Sequence, residues 1–111
     1  MKRYAANRVY DFSTRNMYRN YVVEVEEGTR NVVGLFCLQE EIRHTEWKGG
    51  IILLCAEHPH RKEGESFAAF KDRVQQLSLF CRQSSLHAYH VTAFDVNAME
   101  FTSVSRILSL Y

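Results

Sequence analysis

The chain has 111 residues, a mass of 13.0 kDa and a formal net charge of +1, with fourteen Lys and Arg against thirteen Asp and Glu. That length fits one domain, residues 1–111, and is too short for a (β/α)8 barrel or a full dinucleotide-binding sheet. With 46% apolar residues, one proline and five glycines, the composition excludes a disordered chain and supplies one core without a disulfide or metal staple.

No apolar run is long enough to cross a bilayer; the longest is Ile51 to Ala56. Met1 to Asn7 has charge but no apolar stretch behind it, so we expect no secretory signal and a cytoplasmic location. Cys37, Cys55 and Cys81 form an odd set, each within an apolar stretch. They are expected to be buried, reduced thiols.

In chain order, Arg3 to Asp11 reads as a strand carrying Tyr4, Ala6, Val9 and Tyr10, and Ser13 to Asn16 as a polar break. From Tyr18 to Glu26, Tyr21, Val23 and Val25 alternate with Val22, Glu24 and Glu26, the period of a half-buried strand. The turn at Glu27-Gly28-Thr29-Arg30 leads into a second strand within Asn31 to Gln39, and the two form a hairpin. Gln39 to Lys48 is polar and is read as a loop. Gly49-Gly50 then punctuates the chain before Ile51 to Cys55, a strand buried on both faces and central in its sheet. After the loop at His58 to Gly64, Ser66 is the N-cap of an amphipathic helix over about 66–82, whose stripe is Phe67, Phe70, Val74, Leu77 and Cys81. His87 to Phe94 returns to strand. Residues 101–110 suit helix by Val104, Ile107 and Leu108 and strand by their β-branched residues; we read strand. The order β-β-β-β-α-β-β predicts an α+β fold, a mostly antiparallel sheet with one helix packed on one face.

Tyr4 to Tyr10, Tyr21 to Gly28, Val32 to Leu35 and Gly49 to Ile52 together resemble the N-terminal part of the small β-sandwich domain of metal-dependent amidohydrolases, over residues 3–54. In that family a Pro-Gly and an apolar strand lead to a His-x-His metal pair and a catalytic barrel. Here Gly49-Gly50 stands in place of Pro-Gly, Leu53 and Leu54 follow Ile52, and His58-Pro59-His60 arrives later than the family register. Too few residues follow Leu54 for eight βα units, so the resemblance implies an accessory sheet without the barrel or its hydrolase activity.

His58 and His60 are the candidate metal ligands, because residues i and i+2 of an extended segment point to one side. Cys55, His44 or Glu57 would have to complete the site. His87 and His90 should face opposite sides of their strand, which does not suit paired acid–base catalysis. Ser84-Ser85, Ser103 and Ser105 lack a nucleophile elbow. Glu24, Glu26 and Glu27, and again Glu40, Glu41 and Glu46, read as solvated carboxylates rather than an acid–base pair. The glycines are scattered, with no phosphate loop.

Lys2, Arg3, Arg8, Arg15 and Arg19 occur among Tyr4, Tyr10, Tyr18 and Tyr21, a pattern that can grip phosphates and stack bases. The near-neutral whole chain argues against nucleic acid as the partner. One helix would leave part of an apolar sheet face uncovered, which predicts a non-catalytic module that binds another protein or itself, most simply as a C2 homodimer. No cofactor and no membrane are expected.

Overall fold

A computed structural model describes residues 1–39, 44–78 and 85–110. The elements are β1 (Lys2–Asp11), β2 (Asn16–Val25), β3 (Val32–Cys37), β4 (Thr45–Trp47), β5 (Ile51–Cys55), α1 (Phe67–Ser78), β6 (His87–Val91) and β7 (Ile107–Ser109). They form one seven-stranded sheet in the order β3-β2-β1-β5-β6-β7, with β4 beside β5 on the same edge of β1. The α+β class is as expected, but the sheet is mixed. Its β1–β2, β2–β3, β5–β6 and β6–β7 ladders are antiparallel, whereas β1 pairs parallel with both β4 and β5. The cause is the connection: after the β2–β3 hairpin the chain returns along β1 in β1's own direction. A parallel pair at the centre also explains why all five residues of β5 are buried.

β4 lies in the segment expected to be a loop. Between the pairs Ala5–Trp47 and Arg8–Ile51, two residues of β1 face three of the returning chain, Lys48, Gly49 and Gly50. β4 and β5 are thus one interrupted strand with a bulge between them. Gly49 (φ 69°) and Gly50 (φ 58°) occupy the left-handed conformation that glycine adopts without a Cβ penalty. Asn7 Oδ1 accepts the Gly50 N–H at 3.0 Å and fixes the bulge to β1.

Strict alternation fails in β1 and β2 at one matched point. Tyr4 and Ala6 share a face with Val9, and Val23 and Tyr21 share it with Tyr18, although the register stays one-to-one. Asn20, the residue between the pairs Ala6–Tyr21 and Arg8–Arg19, has φ 52°. A single left-handed residue, which Asn tolerates, turns the ribbon there.

The two faces of the sheet carry two cores. On one, α1 lays Phe67, Phe70 and Val74 on Tyr10, Phe12, Leu53, Cys55, Tyr89 and Val91. Phe94 and Phe101 close this core, with Phe101 edge-on to Phe70 at 5.1 Å and to Phe67 at 5.6 Å. On the other, Tyr4, Ala6, Val9, Val23, Val25, Ile52, Leu54, Ala88 and Leu110 bury one another. β2 and β6 are separated by β1 and β5, so a cluster holding residues of both requires a curled sheet. Val32 N–H donating to Leu86 O at 2.8 Å ties the start of β3 to the approach of β6. The broad uncovered apolar face expected from one helix is therefore not seen here. Val9, Val23, Val25 and Ile52 are fully buried by the sheet's own curvature.

The helix begins where predicted. Ser66 Oγ accepts the Ala69 N–H at 3.2 Å, and Glu100 Oε1, from a distant loop, accepts the Phe67 N–H. α1 is described to Ser78; the predicted end near residue 82, with Cys81 and Ser84-Ser85's first member, lies outside the described residues, as do Glu40 and Glu41. The segment over 101–110 contributes the short β7, which pairs Ile107 with Val91 and Ser109 with Tyr89. Among the described residues no helix is long and apolar enough to cross a membrane.

Candidate functional site

The chain after β5 carries Glu57, His58, Pro59 and His60 toward α1. Pro59 is buried and both histidines are exposed, so the segment is anchored between them. The imidazoles are brought together as the i, i+2 spacing predicts, stacked with centroids 4.8 Å apart and planes 25° apart. His58 also stands edge-on to Tyr89 at 4.9 Å. Its Nδ1 lies 3.0 Å from Pro59 O. A carbonyl only accepts, so in this contact Nδ1 donates and Nε2 is left as the acceptor nitrogen.

Near-parallel imidazoles aim their in-plane lone pairs side by side. Closing on one ion at about 2.0–2.1 Å from each nitrogen requires one ring to rotate. Among the described residues no three His, Cys, Asp or Glu side chains come together as a ligand set. His44 precedes β4, which lies against Arg3 to Ala5, whereas Cys55 and His58 follow the Asp11 end of β1. The sheet thus holds these candidates at opposite ends of a ten-residue strand. Burial pushes the Cys55 thiol far up, with the Asp11 carboxylate adding to the shift, and a thiol ligates zinc as thiolate.

Beside Tyr89 opens a cavity of about 260 Å³ lined by Arg30, Ala56, His87, Ala88, Tyr89, Ser109 and Leu110. His87 Nδ1 lies 3.0 Å from Arg30 O, joining the β2–β3 turn to β6. His90 points to the other side of β6, as expected, and its Nε2 lies 3.1 Å from Gly49 O at the bulge. Burial, the largest cause, pushes the His90 imidazole below its ordinary value.

Several other polar groups are engaged in structure. Asp11 accepts the Ser13 N–H at 2.8 Å and the Ser13 hydroxyl at 2.6 Å, closing the β1–β2 turn. Arg73 grips Glu65 through Nε at 2.8 Å and an Nη at 2.7 Å, and donates to His60 O. That fork holds the Glu65 carboxyl down at about 2. Glu24 is half-buried and paired with Arg3 at 2.9 Å, not simply solvated. The basic N-terminal segment is divided. Tyr4 and Tyr10 lie in the two opposite cores, while Tyr18 and Tyr21 stack on each other at 4.6 Å. Cys37 is exposed, contrary to expectation, because it ends an edge strand; Cys55 is buried as expected.

Of the exposed large apolar side chains, Met1 lies at the N-terminus and three lie on strands. Val33 lies on β3, Trp47 on β4 and Leu108 on β7, with Val104 in the turn before β7. Sequence reading placed the surplus on a face and missed this. Which strands are outermost depends on register, which local periodicity does not carry. Comparison of the chain with protein families, with curated proteins and with solved structures gives no match.

Proposed function

We propose that the protein is a non-catalytic module that associates with a protein partner, in the first place a second copy of itself, through the rim of its sheet. The observation that supports this reading is the position of three of the exposed apolar side chains: Val33, Trp47 and Leu108 sit on β3, β4 and β7. Strand rims present unpaired N–H and C=O groups, and an apolar side chain beside them favours pairing with another chain. Several side chains that could serve acid–base chemistry are engaged instead in holding the fold: His90 at the bulge, His87 at the turn, Glu65 with Arg73 and Asp11 with Ser13. Light scattering across a concentration series tests the reading. A mass rising from 13.0 kDa toward twice that value supports it, and a constant 13.0 kDa at every concentration removes self-association.

A second reading has its own observation. The stacked pair His58 and His60 offers two imidazoles on one exposed segment, which suits weak capture of a transition-metal ion and accords with the accessory-sheet resemblance. Cobalt or zinc titration of the wild type against His58→Ala/His60→Ala tests it. Saturable one-to-one binding lost in the double variant supports it; identical titrations of the two proteins reject it.

A further inference from the structure

We propose that two copies of the chain pair antiparallel along β7, about a two-fold axis at Leu108, to join their sheets into one. This rests on the self-association reading and names its surface. The inner side of β7 is satisfied by β6: Thr92 N–H donates to Arg106 O and Leu110 N–H donates to Ala88 O, both at 2.8–2.9 Å. Tyr89–Ser109 and Val91–Ile107 are consequently the non-hydrogen-bonded pairs of this ladder. The N–H and C=O of Ile107 and Ser109 therefore point away from β6, to the rim. About a two-fold at Leu108, Ile107 of one copy meets Ser109 of the other, twice, and all four outward donors and all four outward acceptors are matched.

The side chains fit the same register. Leu108, 50% exposed, meets Leu108 of the second copy, and Arg106 falls opposite Leu110 rather than opposite itself. No like charges face each other across the pair, and a net charge of +1 adds little repulsion between copies. Moving the axis by one residue in either direction leaves one hydrogen-bonded pair within Ile107–Ser109 instead of two.

The opposite rim is protected, whereas among the described residues no backbone hydrogen bond reaches the outward side of β7. β3 carries a register shift at Glu24/Val25, and its Val32 N–H is already taken by Leu86. Bulges and cover of this kind prevent strand addition. Ile107–Ser109 has no proline, no charge and no bulge. Ser109 and Leu108 are exposed along the strand.

Two variants test the pairing. Ser109→Pro removes one outward N–H but none of the bonds to β6, so the fold should remain while dimerisation weakens at least tenfold by light scattering. Leu108→Cys, in a background with Cys37→Ser and Cys81→Ser, places two thiols at a non-hydrogen-bonded pair, where strands approach closely enough for a disulfide. Mild oxidation should give a 108–108 linked dimer, several-fold faster than Val104→Cys in the same background. If the wild type dimerises but Ser109→Pro dimerises equally well and Leu108→Cys links no faster than Val104→Cys, the β7 pairing is wrong and self-association stands through another surface. If the wild type stays monomeric up to about 1 mM, both fall.

Discussion

Gly49 and Gly50 show how much one pair of residues decides. A Cβ at Gly50 would lie 3.3 Å from Val91 O and 3.5 Å from Phe94 Cβ, at a φ of 58°. Neither neighbour yields easily, since one is strand backbone and the other belongs to the aromatic core. Gly50→Ala should lose about 1–3 kcal/mol in urea unfolding. Gly28, with nothing within 4 Å of its Cβ position and no positive φ, supplies the contrast: Gly28→Ala should stay within about 0.5 kcal/mol of wild type. Equal losses at the two sites would contradict the bulge. His90 adds a pH dependence at the same bulge. Its folded pKa lies below the unfolded value of 6.5 because burial disfavours the charged ring. Well above 6.5 the ring is neutral in both states. As pH falls through 6.5 the unfolded ring takes a proton before the folded one, so stability falls until the folded value is passed. Replacing His90 by Gln abolishes this titration. The wild type should therefore lose more stability than His90→Gln between about pH 7.5 and about pH 5.5; parallel curves would remove the assignment.

The elements differ in how far local sequence determines them. The β2–β3 hairpin is legible because alternation flanks a glycine turn, and the start of α1 because Ser66 precedes a stripe of three- and four-residue steps. β4 is not legible: three residues, Thr-Glu-Trp, are too short for a period and exist as strand only because β1 offers an edge. Equally silent is Glu100, which caps a helix more than thirty residues before it in the chain. α1 has no acidic residue in its first turn, so Glu100 supplies the negative charge that a helix N-terminus favours. Glu100→Ala should then cost about 1–2 kcal/mol, and Ser66→Ala about 1 kcal/mol. Both are read from thermal or urea unfolding. A neutral Glu100→Ala beside a costly Ser66→Ala would show the cap to be local after all.

At the scale of the whole molecule, the seven strands curl until β2 and β6 share a core, and the tie from Val32 to Leu86 holds that curvature. The class and the pairing of hydrophobic stripes with a helix follow from composition and period. The curl does not, because it shows only in contacts between strands far apart in the chain, such as that of Val32 with Leu86. Nor does the candidate site follow from residue types. Imidazoles and thiols draw the eye in the sequence, yet His87, His90 and Cys55 serve the fold, and the interface proposed above is backbone at a rim. Amide hydrogen exchange measured against protein concentration addresses that surface directly. The Ile107 and Ser109 amides should exchange freely when the protein is dilute and become protected when it is concentrated, while the Leu110 amide, bonded to Ala88, stays protected throughout. Protection at Ile107 and Ser109 that does not change with concentration would contradict the account.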